Sequence, residues 1–85
     1  METVRERLRD WRKGNGYTLR EVASAVGQQL GRDVSESSIS NFESRADPST
    51  AVIQALGMAF PELSIRWLLT GEPEAYGLIE EQPRD

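Results

Sequence analysis

The sequence predicts an all-α fold, a compact five-helix bundle at residues 1–71 followed by an acidic C-terminal tail at residues 72–85. Three observations support this prediction. Apolar residues recur at the three- and four-residue spacing of an amphipathic helix. Residues that cap or break helices bound each of these stretches. Apolar residues also make up 38% of the 85 residues, which is enough for one small helical core.

The first helix is predicted at residues 3–13. Val4, Leu8 and Trp11 recur at i, i+4 and i+7, so they form one apolar stripe, and arginines fill the opposite faces. The sequence Gly-Asn-Gly at 14–16 ends this helix, because these residues adopt positive φ at little cost.

The second helix is predicted at residues 19–30. Thr18 and Glu21 have the three-residue spacing of a capping box, which marks a helix N-terminus. Gly31 is suited to cap the C-terminus. The predicted inner face consists of Leu19, Val22, Ala23, Val26 and Leu30.

The third helix is predicted at residues 36–44, with Ser35 as its N-cap and Val34 packing at its entry. Ile39 and Phe42 are its only strongly apolar residues. A short helix with two apolar anchors and an otherwise small, polar surface is suited to present that surface to a partner.

The fourth and fifth helices are predicted at residues 50–59 and 65–70. Pro48 lies near the start of the fourth helix and Pro61 ends it, and Ser64 caps the fifth. The predicted anchors are Val52, Ile53, Leu56, Ala59 and Phe60 in the fourth helix, and Ile65, Trp67, Leu68 and Leu69 in the fifth.

The net charge of −4 is concentrated at the C-terminus. Residues 1–16 carry +2, residues 17–71 carry −2, and residues 72–85 carry −4, so the predicted bundle is neutral. The tail has two interpretations: a loose acidic segment, or a segment whose apolar residues dock on the core or on a second subunit. Those apolar residues are Tyr76, Leu78 and Ile79.

The composition excludes several classes of function. The sequence has no Cys and no His, which excludes disulfides, Cys-based zinc sites and His-based acid–base catalysis. It has a single lysine and no nucleophile–base spacing. We therefore expect that the protein is not an enzyme and that it binds no cofactor, no metal and no small-molecule substrate. No apolar run approaches the roughly 18 residues of a membrane span, so we expect a cytoplasmic protein without membrane association.

The segment 18–44 contains the parts of a helix-turn-helix in order: a support helix at 19–30, a turn, and a recognition helix at 36–44. Over residues 3–71 the chain resembles the lambda-repressor/Cro-like (XRE-type) helix-turn-helix DNA-binding proteins. The resemblance rests on RLRDWRK at 7–13, YTLREVA at 17–23, VSESSISNFE at 34–43, PS at 48–49 and AFPELSIRWLLTGE at 59–72. It implies a lambda-repressor-like domain.

The resemblance also implies which residues contact DNA. The base contacts are expected at Glu36, Ser37 and Asn41, because Glu can accept from the cytosine amino group and Asn can pair with adenine through two hydrogen bonds. The phosphate contacts are expected at Thr18, Arg20, Arg32, Ser38, Ser40, Ser44 and Arg45.

Several of these residues also have an interpretation that does not involve DNA. Glu36 is an acid favoured by the dipole at a helix N-terminus. Asn41 is a solvated polar residue, and Ser40 is a small packed one. The arginines of the first helix form either a solvated face or a phosphate-facing one. They are Arg5, Arg9 and Arg12.

The sequence departs from the family pattern in two ways. Gln28 to Asp33 looks like an insertion, which we interpret as a support helix lengthened by one turn and capped at Gly31. The recognition helix also contains no Arg or Lys. The leading hypothesis is a phage-type repressor that binds an operator as a homodimer. The alternative is a protein-interaction module on the same fold, antitoxin-like or anti-repressor-like, with weak or no DNA binding.

Overall fold

A computed structural model describes residues 2–72, and these residues form five α-helices. The helices are α1 (Val4–Gly14), α2 (Leu19–Leu30), α3 (Glu36–Ser44), α4 (Thr50–Ala59) and α5 (Ile65–Thr70). The predicted all-α, five-helix fold is therefore confirmed. One interpretation of the tail is that its apolar residues dock on the core or on a second subunit. These residues lie outside the described ones: Tyr76, Leu78 and Ile79.

A Ser or Thr side chain caps the N-terminus of each of these five helices: Thr3, Thr18, Ser35, Ser49 and Ser64. The predicted capping box of α2 is confirmed. The hydroxyl of Thr18 accepts from the backbone N–H of Glu21 at 3.0 Å, and the Glu21 carboxylate accepts from the Thr18 N–H at 2.8 Å. Thr3 and Glu6 form an equivalent box. Because Thr3 is the cap, α1 begins at Val4, one residue later than predicted.

The helices pack around one apolar core. Its buried members are Leu8, Trp11, Val22, Ala23, Val26, Ile39, Val52, Ala55, Leu56, Phe60, Leu63 and Leu68. One prediction is wrong here. Leu69 was expected to anchor α5, but it is 46% exposed. The helix α5 has only six residues and turns one face to the core. That face carries Leu68, which is fully buried, so the next residue points away from the core.

A second prediction is wrong for Arg7. The arginines of α1 were expected on its exposed faces, but Arg7 is buried. Its guanidinium donates to the carbonyls of Leu68 at 2.8 Å, Leu69 at 3.2 Å and Glu2 at 3.0 Å. The last carbonyls of a helix lack partners within the helix and carry partial negative charge. Arg7 therefore caps the C-terminal end of α5 and attaches it to α1.

The packing of the helices determines which surface of α3 is free. The helix α3 packs against both α1 and α2, while α2 also packs on α4 and α1 on α5. Two helices thus support α3 from behind, and the side of α3 that faces away from them is left to solvent.

Candidate nucleic-acid interface

The helix α3 has one anchored side and one exposed side. Ile39 is fully buried and Phe42 is half-buried against the core. The exposed residues recur at i, i+1, i+4, i+5 and i+8, so they lie along one side of the helix. This exposed stripe of α3 consists of Glu36, Ser37, Ser40, Asn41 and Ser44. It contains the three residues predicted to contact bases and two of those predicted to contact phosphate.

The C-terminal half of α3 is held by a buried ion pair between Arg12 and Glu43. Arg12 Nε donates to Glu43 Oε2 at 2.6 Å and Arg12 Nη2 to Glu43 Oε1 at 3.1 Å. Arg12 Nη1 also donates to the carbonyl of Tyr17 at 3.0 Å. The two side chains are 11% and 5% exposed, and the hydrogen bond to Glu43 raises the pKa of Arg12. This two-point contact fixes α3 to α1 in one orientation.

The Arg12–Glu43 pair was not predicted from the sequence. The third helix was predicted to be polar apart from Ile39 and Phe42, so burial of Glu43 was not expected. Arg12 was predicted on a solvated or a phosphate-facing side of the first helix. Glu43 lies four residues after Ile39, which puts it on the buried side of the helix. That spacing was the signal available in the sequence, and a charged residue at a buried helical position requires a partner of opposite charge.

The N-terminal end of α3 is built from the Ser35 cap. The Ser35 hydroxyl accepts from the backbone N–H of Ser38 at 3.1 Å, and the two hydroxyls lie 3.0 Å apart. Ser38 is half-buried and is not part of the exposed stripe of α3. The hydroxyl of Ser38, which was predicted to contact phosphate, thus lies within the helix cap.

Glu36, the first residue of α3, forms an exposed ion pair with Arg20 of α2. Arg20 Nε and Glu36 Oε2 are 3.1 Å apart, and the side chains are 84% and 50% exposed. The structure thus brings together one residue predicted to contact a base and one predicted to contact phosphate. Within residues 2–72, the side chains of Ser37 and Asn41 form no hydrogen bond.

The remaining predicted phosphate contacts flank the exposed stripe of α3. Arg32 precedes the helix and Arg45 follows it as the C-cap, and both are exposed without an ion pair in the described part of the chain. Thr18 lies at the N-terminus of α2, where its hydroxyl accepts from Glu21. The Ser44 hydroxyl donates to the carbonyl of Ser40 at 2.8 Å and remains at the surface.

The connection between α2 and α3 follows the predicted lengthening of the support helix. The helix α2 continues to Leu30 and is capped by Gly31, whose φ of 73° is in the left-handed region that favours glycine. Gly27 allows close approach of the connection, because a Cβ there would lie 2.6 Å from the carbonyl oxygen of Arg32. A groove of about 630 Å³ lies between α2 and this connection, and Arg20 and Glu36 contribute to its lining.

Residues 2–72 lack the elements of two other kinds of site. No helix in this range combines the length and apolar character that a membrane span requires. No group of acidic side chains in the same range is arranged to hold a metal ion.

Comparison with known proteins identifies the fold. A family model described as helix-turn-helix, which represents XRE- and lambda-repressor-like domains, matches residues 8–68. The match begins at a buried leucine of α1 and ends at a buried leucine of α5, so it spans the whole core. Searches of curated proteins and of solved structures found no match. The match covers well over half of the chain, and the chain therefore belongs to the lambda-repressor-like (XRE-type) helix-turn-helix family of DNA-binding regulators.

Proposed function

We propose that this protein is a transcriptional repressor of the phage type that binds double-stranded operator DNA sequence-specifically as a homodimer. The exposed stripe of α3 is the observation that carries the proposal. Its residues are small or polar, while Ile39 and the Arg12–Glu43 pair hold the opposite side of the helix. A helix supported in this way can enter the major groove of B-DNA, which is wide enough to admit an α-helix.

The base contacts in this proposal are Glu36, Ser37 and Asn41. They lie at the N-terminal end and the middle of the exposed stripe of α3, and the N-terminal residues of a recognition helix are those that meet base edges. The Asn41 amide has an NH2 group that donates and a carbonyl oxygen that accepts, which match N7 and the N6 amino group of adenine in the major groove. Ser37 has a hydroxyl that can donate or accept.

The phosphate contacts in this proposal lie on α2, before α3 and along α3 to its C-cap. They are Thr18, Arg20, Arg32, Ser38, Ser40, Ser44 and Arg45. Only three of these are cations, so neutralisation of phosphate contributes modestly to affinity. For a dimer with three such contacts per subunit, a plot of log K against log [salt] should have a slope of roughly −5, where K is the association constant for DNA.

A homodimer is proposed because α3 has only nine residues. One short helix reads too few base pairs to distinguish an operator from the many other sites in a genome. Two copies related by a two-fold axis would read a pseudo-palindrome whose half-sites lie one helical turn apart, or a multiple of it.

The test is the affinity of the protein for the duplex upstream of its own gene, measured by fluorescence anisotropy at low salt against a scrambled duplex of equal length. The proposal predicts tighter binding to the natural duplex. Asn41→Ala should weaken that binding by roughly 1–3 kcal/mol per half-site. Gln54→Ala, which changes an exposed amide on α4, is the matched control and should have no effect. Equal binding of the two duplexes by the natural protein would refute the proposal.

One observation favours a second candidate, a protein-interaction module on the same fold. The exposed stripe of α3 has no cation of its own, and it begins with a carboxylate. Such a surface suits a protein partner, as in an antitoxin-like or anti-repressor-like protein. Stable co-purification with one partner, together with DNA affinity that does not depend on salt, would favour this candidate over the repressor.

A further inference from the structure

The ion pair between Arg20 and Glu36 has a position that the stability of the fold does not explain. The side chain of Arg20 is 84% exposed and that of Glu36 is 50% exposed. Only Nε of the Arg20 guanidinium donates to Glu36, at 3.1 Å. Exposed ion pairs of this geometry contribute little to stability. The pair lies at the N-terminal end of the exposed stripe of α3, beside the groove between α2 and the connection to α3.

We propose that Arg20 and Glu36 act together as one base-reading unit that selects a G·C base pair in each half-site. This inference rests on the proposed function, because it assigns a specificity to the same surface. Arg20 thereby becomes a residue that determines specificity, in addition to any contact that it makes with phosphate.

The chemistry of the pair matches the major-groove edge of a G·C base pair. The Nη donors of Arg20 form no hydrogen bond within residues 2–72, and neither does Oε1 of Glu36. Guanine presents two adjacent acceptors, N7 and O6, which fit a planar guanidinium, and cytosine presents its N4 amino donor beside them. Adenine places an amino donor next to its N7, so a guanidinium meets a donor there instead of a second acceptor.

The ion pair also explains how a carboxylate can be placed at the DNA-facing end of the helix. A lone Glu36 would approach two strands of phosphates and be repelled by both. The Arg20 guanidinium at 3.1 Å offsets that charge without covering the whole carboxylate. Each residue of the pair therefore needs the other, and loss of either should have the same effect on base preference.

The experiment is parallel selection of binding sites from random duplexes by the natural protein, Arg20→Gln and Glu36→Gln. The natural protein should select one G·C pair per half-site and bind it roughly ten-fold tighter than the same site carrying A·T. Each variant should reduce that ratio to near one, and the double variant should lose no more.

Arg66→Gln is the matched control, because it breaks another exposed ion pair, which joins Arg66 of α5 to Glu72 beyond its end at 3.0 Å. It should leave the G·C preference unchanged, and circular dichroism should show native helix content for all variants. If Glu36→Gln raises affinity for every duplex equally and leaves base preference unaltered, Glu36 is only a repulsive acid and the inference is wrong. If the natural protein selects a site without that G·C pair, the inference is wrong while the proposed function stands. Selection of no sequence at all would overturn both.

Discussion

Within residues 2–72, two Arg–Glu ion pairs join α3 to its neighbours, one near each end of the helix. Near the C-terminal end, Arg12 and Glu43 are almost fully buried and share two hydrogen bonds, the shorter of 2.6 Å. At the N-terminal end, Arg20 and Glu36 are exposed and share one hydrogen bond of 3.1 Å. The residue types are the same, and the surroundings differ in burial and in the number of contacts.

The difference separates a structural role from a binding role. A buried ion pair that loses one partner leaves an uncompensated charge in the core, so the fold depends on both partners. An exposed ion pair exchanges readily with water, so its groups are available to a ligand. One end of α3 is thus fixed to the bundle, and the other end presents charged groups to the surroundings.

The largest expected effect comes from removing one partner of the buried pair. Glu43→Ala should reduce the free energy of unfolding by about 3–5 kcal/mol, because Arg12 would remain buried without its partner. The measurement is equilibrium unfolding in urea. Replacing both residues together, as in Arg12→Met with Glu43→Leu, should recover much of that loss. A loss below about 1 kcal/mol for Glu43→Ala would show that the pair does not hold α3.

A smaller effect is expected at the connection that leads to the exposed end of α3. Gly27→Ala would place a Cβ 2.6 Å from the backbone carbonyl oxygen of Arg32, so the connection must shift. Overpacking of this kind costs about 1–3 kcal/mol of unfolding free energy. Gly14→Ala is the control, since nothing lies within 4 Å of a Cβ there. Equal stability of the two variants would show that the connection moves freely.

Arg20→Gln tests the exposed pair directly. Its effect on the free energy of unfolding should be below about 1 kcal/mol, because both groups are well solvated in the native protein. Urea unfolding of the variant beside Glu43→Ala would measure the contrast between the two ends of α3. If Arg20→Gln lowered the free energy of unfolding as much as Glu43→Ala does, the exposed pair would be structural, like the buried one.

The smallest expected effect is a change of stability with pH that comes from Tyr17. Its carbonyl accepts from Arg12, whose ion pair holds the C-terminal half of α3. The Tyr17 hydroxyl donates to Glu62 at 3.1 Å, and this hydrogen bond raises the pKa of Tyr17 above its ordinary value of 10.0. The protonated phenol is therefore favoured in the folded state. Its contribution to stability is fully present below pH 10.0 and is lost as the pH rises through the higher pKa of the folded protein.

The check is the urea midpoint of the natural protein and of Tyr17→Phe, measured from neutral pH into the alkaline range. Tyr17→Phe should be less stable at neutral pH, and the difference should shrink as the phenol of the natural protein loses its proton. A difference that stays constant across this range would contradict the assignment of the hydrogen bond.

Local signals in the sequence were sufficient for most of the fold. Ser35 and Gly31 each mark a helix end through their own side chain or backbone preference, and the bounds of α2, α3, α4 and α5 coincide with the predicted ones. Thr3 and Glu6 carry the same capping pattern that identified Thr18, so that box could also have been found.

The contacts that could not be predicted from the sequence are those between distant residues. Arg7 binds carbonyls 61 and 62 residues away, and Arg12 binds Glu43 at a separation of 31 residues. Periodicity places a residue on a face of its own helix and does not show which residue of another helix lies opposite. The position of the candidate interface could therefore be predicted, while the ion pairs at its two ends could not.

The most direct test of the central claim is a titration of the labelled protein with its selected duplex, followed by NMR of backbone amides and Asn and Gln side chains. The exposed stripe of α3 should show the largest shifts, above all at Ser37 and Asn41. The exposed face of α4, represented by Gln54, should be unaffected. Shifts confined to α4 or α5, with Ser37 and Asn41 unchanged, would contradict the claim that α3 is the surface that reads DNA.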